Sequence, residues 1–526
     1  MLYDWLITGA RILDGSGAEA VLGDVALRGG TIAAVGHLAG APAVRVLRAE
    51  GKTLTPGFLD IHRHGDAELF RPSAGRAELR QGITTVVNGN CGMSLGPVDP
   101  DREKEILRYL APVIGPCGES FPTVAAYLRR AERTALKLNA GLLAGMGVLR
   151  ADVAGFAPGA LTPGQFRRLH GRLEQALADG ALGVSLGLGY APECFYTAEQ
   201  LLTALAPLKD SGTVIAVHMR QEGAGVADAL REMIGAARAL RTPVEISHLK
   251  SIGAPSWGKA VPEMLSMIAR AREEGLDVSC DVYPYPAGCT QLLHVLPPEA
   301  QSGGTEALTA RLRDGAARRD MRRRMECGTD FENITLLAGF ERIRAIGLRR
   351  HAAWEGRTLA AIAAEQGKDP YDALFDLLAD EECGASMIDL IASEEDIAAI
   401  LRAPFSCAVS DATYPLAGLL HPRVYGMTAH LLEHWVRRVG ALTLPQAVRK
   451  LTRLPADRFG LRSKGRVEPG ADADLLVFDP AAVRETATYD DPAREAAGMD
   501  WVFVNGVPAI QNGVLTDAAA GRILRR

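Results

Sequence analysis

Between residue 56 and about residue 460 the chain alternates short runs of nearly unbroken apolar residues with longer stretches in which apolar positions recur every three or four residues. The first pattern is that of a strand buried on both faces and the second that of an amphipathic helix. Their alternation predicts a parallel sheet with helical crossovers. Strands are expected at 57–62, 83–88, 141–148, 182–188, 213–218, 244–248, 276–283 and 406–411, with helices at 161–179, 198–211, 225–239 and 261–275. Eight strands is the number at which such a sheet closes with its interior filled by side chains. The expected fold class is therefore α/β, a (β/α)8 TIM-like barrel over residues 56–460. The segment from about 291 to 404 is much longer than a crossover needs and carries a helical stretch at 371–379. It is expected to be an insertion forming a lid, and its Arg322-Arg323-Arg324 run reads as a solvated helix face.

Glycine-punctuated alternating runs, Trp5 to Asp14 and Asp24 to Gly36, signal hairpins within residues 1–55. The same texture returns within residues 461–526, in Gly470 to Asp479 and Trp501 to Pro508. The two chain ends are thus expected to pair into one small β-sandwich domain beside the barrel.

The strands end in chemistry. The first runs through Thr55-Pro-Gly-Phe-Leu-Asp-Ile-His-Arg-His64, and alternation along a strand would point His62 and His64 to the same side. The second leads to Cys91, the fifth ends in His218, the sixth in His248 and the last in Asp411. A barrel builds its active site at the C-terminal ends of its strands, so donors scattered along the chain would meet on one rim. A lone histidine is more often a packed or solvated residue; six donors in register are a metal-site pattern.

Composition narrows the partners. A net charge of -5 with interspersed signs leaves no basic footprint for nucleic acid. The N-terminus has no basic segment followed by a long apolar one, and no run of about 20 apolar residues occurs, so no membrane partner is expected and a cytoplasmic protein is. The eight cysteines lack a close CxxC pair, which suits reduced thiols, and apart from Cys91 they read as packing residues. Nothing in the sequence fixes the oligomeric state; a homo-oligomer stays open.

With His-x-His on strand one, Cys on strand two, His on strands five and six and Asp on strand eight, the chain resembles the amidohydrolase superfamily. Within it, the chain is most similar to the N-acyl-D-amino-acid deacylases, or D-aminoacylases. The motifs that carry the likeness are Pro56-Gly-Phe-Leu-Asp-Ile-His-Arg-His64, Asn88-Gly-Asn-Cys-Gly92, Gly180-Ala-Leu-Gly-Val-Ser-Leu-Gly-Leu-Gly-Tyr190, Ile246-Ser-His-Leu-Lys250, Asp281-Val-Tyr-Pro-Tyr285 and His421-Pro-Arg-Val-Tyr-Gly426. Cys91 is the most specific of these, because many members of the superfamily bridge their metals with a carboxylated lysine, whereas this branch resembles a cysteine-ligated site.

The residues read in the same direction. A thiolate with two imidazoles, Cys91, His218 and His248, is a soft, tight set for Zn2+ with a fourth place for water. His62, His64 and Asp411 are candidates for a second, weaker metal, as the resemblance implies. A metal there would activate water and polarise an amide carbonyl, while Asp411 serves as general acid/base, taking a proton and delivering it to the leaving amine. The expected substrate is an N-acyl-D-amino acid, a small molecule that carries a carboxylate. Arg423 is expected to hold that group as a bidentate fork and Lys250 as a point charge. The resemblance adds Tyr283 and Tyr190 to the same pocket.

The chain also departs from the family pattern. Ala412 follows Asp411 where relatives commonly have glycine, Met427-Thr428-Ala429-His430 follows Gly426 where many have Thr-Phe-Pro-Arg, and Met146 stands where relatives often have histidine. These changes lie at the expected pocket and not among the donors, so they bear on the substrate more than on the hydrolytic chemistry. Two alternatives stay open: a metal-dependent hydrolase of another bond, such as a cyclic amide, dipeptide or carbamate, and a non-catalytic assembly protein on the same barrel. Retention of costly polar groups at a buried rim argues against the latter.

Overall fold

The computed structural model describes residues 2–526. Its centre is a sheet of eight parallel strands in consecutive order: β1 Phe58–Asp60, β2 Ile83–Asn88, β3 Asn139–Gly145, β4 Gly183–Gly187, β5 Ile215–His218, β6 Val244–Ile246, β7 Val278–Val282 and β8 Ser406–Ala408. Every residue of these strands is buried, which explains their unbroken apolar texture: helices cover one face and the barrel interior the other. Closure comes beyond the strand ends, where Asp411 N donates to His62 O at 2.8 Å and His64 N donates to Ala412 O at 2.9 Å. Asp60 reinforces this seam by accepting from Ser410 N at 3.0 Å.

The crossover helices carry their own start signals. Thr162 caps Pro163–Ala178 and Thr197 caps Ala198–Ala204, each reciprocally with the glutamine at the third helical position. The second of these helices is shorter than expected, because Pro207 cannot continue it and the chain passes into a single tight turn, Ala206–Leu208. Strand β3 also differs from expectation. It stops at Gly145, and Met146–Ala154 is a helix. The backbone of Gly145 lies against that of Gly92, where an added Cβ would come within 2.5 Å, and Val148 N donates to Gly92 O at 3.0 Å. Met146 and Val148 are buried in the helix as they would be in a strand of the core, so hydrophobicity did not mark where extension stops.

Between β7 and β8 a three-stranded antiparallel sheet, Ala287–Gln291, Ser386–Leu390 and Ile343–Ile346, stands over the C-terminal rim. Helices Gly304–Arg313, Gly315–Cys327, Leu359–Gln366 and Pro370–Asp380 pack with it around a separate apolar cluster that includes Leu308, Leu374 and Leu378. The arginine run is a solvated face: Arg322, Arg323 and Arg324 pair with Glu326, Asp320 and Asp330 on the surface.

The chain ends join where Thr53–Pro56 pairs antiparallel with Leu475–Phe478. They form one nine-stranded sheet that folds over on itself, since Trp5 packs edge-on against Trp501 at 5.6 Å and Phe503 at 5.3 Å although their strands are not neighbours. Both chain ends thus contribute to a small sandwich whose strand Thr53–Pro56 runs directly into β1. Among the described residues, no helix is long and apolar enough to cross a membrane.

Candidate metal centre and active site

The donors expected from sequence converge at the C-terminal rim, but most of them do not lie on strands. His218 is the last residue of β5, whereas His62, Cys91, His248 and Asp411 sit in the turns that follow β1, β2, β6 and β8. Cys91, His248 and Asp411 hold φ values of 51°, 35° and 49°, a left-handed conformation that costs a side-chain-bearing residue of order 1–3 kcal/mol. Each turn thereby folds its side chain inward over the barrel mouth instead of letting it continue in strand alternation.

Two overlapping groups result, His62–His64–Cys91 and Cys91–His218–His248, each with its ligand atoms within 4.8 Å of one another. Cys91 Sγ lies 3.3 Å from His62 Nε2 and 3.4 Å from His248 Nε2, and His248 Nε2 lies 3.0 Å from His218 Nδ1. A tetrahedral zinc with ordinary bond lengths sets donor-to-donor edges of roughly 3.3–3.6 Å; the two Cys91 edges fall in that range, while the His218–His248 edge of 3.0 Å is shorter and would open slightly around an ion. Asp411 Oδ1 is 3.3 Å from His64 Nε2 and 3.5 Å from His62 Nε2, which brings the expected carboxylate to the second group. Burial alone would raise the Cys91 thiol, but His62 and His248 outweigh it and hold the group well below its usual range, favouring the thiolate that binds metal.

The amidohydrolase family profile matches residues 45–510. A D-aminoacylase of Alcaligenes xylosoxydans xylosoxydans is 35% identical over 531 residues, 100% of this chain and 98% of the relative. An N-acyl-D-aspartate deacylase from the same organism is 32% identical over 504 residues, 96% and 91% of the two chains. The crystal structure of an N-acyl-D-glutamate deacylase from Bordetella bronchiseptica, in complex with zinc and a phosphonate mimic of the tetrahedral intermediate, matches with a TM-score of 0.85 and 30% identity over 100% of both chains. The chain belongs to the amidohydrolase family, in its D-aminoacylase branch.

Two residues of this amidohydrolase's rim received no role from sequence. Asp281, at the end of β7, accepts from His248 N at 2.5 Å and meets His62 Nδ1 at 3.2 Å, leaving His62 Nε2 to face Cys91. Glu222 lies 2.9 Å from His248 Nδ1 and 2.7 Å from Lys250 Nζ. Burial would push Glu222 up, yet Lys250, His218 and His248 hold it ionised, well below the usual carboxylate range. Such carboxylates fix the ring orientation of a ligand histidine and strengthen it as a donor. Asp281 stood inside a quoted motif; the only signal for Glu222 was an acid four residues after His218.

Of the four residues expected to bind substrate, Lys250, Tyr283 and Tyr190 line the cavity beside the donors. Tyr190 Oη is 3.0 Å from Thr290 Oγ1, and Tyr283 lies between Lys250 and Arg423 with its hydroxyl unpaired. Arg423 stands one layer back from that cavity. It is fully buried behind Asp411, with Nη1 3.0 Å from Asp411 Oδ2, Nη2 donating to Cys289 O at 3.0 Å and its guanidinium over the Tyr283 ring. The reason is local: Arg423 opens the helix Arg423–His430, whose Gly426 packs against Tyr285, and that placement aims the side chain at the back of Asp411 and away from the open cavity. Burial would raise Asp411, but Arg423 first and His64 next hold it well below its normal range.

Proposed function

We propose that the protein hydrolyses the amide bond of N-acyl-D-amino acids, releasing a carboxylic acid and a free D-amino acid. It is thus a hydrolase of linear amides other than peptide bonds. The observation that carries this reading is the convergence of Cys91, His218, His248, His62, His64 and Asp411 on one buried rim, in a chain matched end to end by a D-aminoacylase. Cys91, His218 and His248 would hold the tight Zn2+, and His62, His64 and Asp411, with Cys91 shared between the sets, a second and weaker one. Bound zinc supplies a water activated for attack and a Lewis acid for the amide carbonyl.

The remaining work falls to the chain itself. Asp411, kept ionised by Arg423, accepts the proton of the attacking water and returns it to the departing amine. Lys250 Nζ and the free hydroxyl of Tyr283 face the cavity and orient the substrate carboxylate, with Arg423 behind Asp411. The sheet Ala287–Gln291, Ser386–Leu390 and Ile343–Ile346 with its helices serves as the lid, contributing Thr290 and Asp389 to the cavity wall. Eight unpaired cysteines support a cytoplasmic location.

The test is amine release from paired N-acetyl-D- and N-acetyl-L-amino acids with metal content measured on the same sample. D-restricted turnover with bound zinc is expected; zinc without turnover of either series would refute the substrate. The occlusion of Arg423 is the one observation that favours a second reading, hydrolysis of a cyclic amide or dipeptide, and adding those substrates to the same assay separates the two.

A further inference from the structure

Away from the metal donors, the cavity wall holds one carboxylate without a partner. Three carboxylates line it, Glu222, Asp389 and Asp411, against one ammonium or guanidinium, that of Lys250, among the described residues. Lys250 serves Glu222 at 2.7 Å and the substrate carboxylate, and Asp411 has the buried Arg423 at 3.0 Å. Asp389 has no such partner. It lies on the lid strand Ser386–Leu390, 2% exposed, and accepts no hydrogen bond from another residue, so Lys250 and Arg423 act on it only as more distant charges. Burial pushes its carboxyl up to about 6, which leaves it ionised at neutral pH.

Its surroundings keep it open. Directly across the ladder stands Gly288, the paired residue on Ala287–Gln291. A Cβ there would come within 2.9 Å of Asp389 Oδ1, so the absence of a side chain at Gly288 is what leaves the carboxylate uncovered toward the cavity. A buried charge without a partner is costly and finds its compensation in whatever enters the site.

We propose that Asp389 is a specificity-determining residue that pairs with a cationic side chain on the substrate, so that the protein favours N-acyl derivatives of D-lysine and D-arginine over those of D-aspartate and D-glutamate. This rests on the deacylase reading above and sets the chain apart from relatives named for acidic substrates. An acidic side chain would meet Asp389 with no free cation to offset it, whereas an ammonium or guanidinium would complete the charge balance of the wall.

The experiment measures kcat/KM of the zinc-loaded enzyme for N-acetyl-D-lysine, N-acetyl-D-arginine, N-acetyl-D-leucine, N-acetyl-D-aspartate and N-acetyl-D-glutamate, and repeats the series with Asp389→Asn. The expected order is basic, then neutral, then acidic. In D389N the lysine-to-leucine ratio should fall about tenfold or more and the glutamate-to-leucine ratio should rise. Fastest turnover of the acidic pair by the wild-type enzyme overturns the proposal, as does a D389N enzyme active on N-acetyl-D-leucine with both ratios unchanged. If D389N loses zinc and all activity, the wild-type order alone decides. Absence of turnover across the whole D series refutes the deacylase reading itself and removes this proposal with it.

Discussion

Replacing Arg423 by methionine separates two roles that the sequence could not tell apart. If Arg423 gripped the substrate carboxylate, the change would remove binding common to ground and transition states and raise KM alone. In the structure it instead faces Asp411 at 3.0 Å, with neither side chain more than 10% exposed. At an effective dielectric of about 20 the Coulomb energy at that distance is about 5.5 kcal/mol, and removing one member of a buried pair costs about 3–5 kcal/mol net. If about 3 kcal/mol of this is felt in the transition state, kcat falls on the order of 100-fold. The pH profile should move too. Asp411 is depressed in the folded protein, so its stabilising contribution is present above the unfolded value near 4 and is lost as pH falls through the folded value. Without Arg423 the folded value rises, and the acid limb of the kcat profile shifts to higher pH. Steady-state kinetics on an N-acetyl-D-amino acid from about pH 3 to 9 is the assay. A KM increase with unchanged kcat and an unmoved acid limb would refute the reasoning and return Arg423 to the substrate.

Cys91→Ala, which removes the donor shared by both groups, should abolish tightly bound zinc and all turnover, read by metal analysis after dialysis. Asp411→Ala should retain the zinc held by Cys91, His218 and His248 while losing turnover; full activity in that variant would eliminate Asp411 as the proton carrier. Glu222→Gln leaves the ligands in place but removes the charge that orients His248, and a 10–100-fold loss of zinc affinity is expected from competition with a chelator. An unchanged affinity would show that Lys250, not His248, is what Glu222 serves.

The barrel was legible because its strands are buried on both faces and betray themselves as apolar runs, and the donors because each follows such a run. The manner of their presentation was not. Cys91, His248 and Asp411 depend on left-handed turns after their strands, the last two of which end earlier than their apolar runs, and an apolar run does not announce a positive φ at its end. Glu222 and Asp281 escaped because a charged residue, whether in a loop or near a strand end, acquires its role from the imidazole it meets, and that meeting is a property of the folded rim. Arg423 lies within a recognisable motif, yet whether its guanidinium faces the cavity or the back of Asp411 is decided by the angle of one short helix against Tyr285.

The seam between β1 and β8 implies an order of assembly. The Cys91, His218 and His248 set is complete once the sixth strand has been made, so a nascent chain holds every ligand of the tight site with more than half of its residues in hand to come. Asp411 joins only when the turn after the last strand reaches His62 and the backbone bridge from Asp411 N to His62 O forms. His62, His64 and Cys91 lie beside the first two strands, so Asp411 is the last of the six donors to arrive, and closure of the ring is what brings it to them. Ring closure thus ties completion of the six-donor rim to completion of the fold.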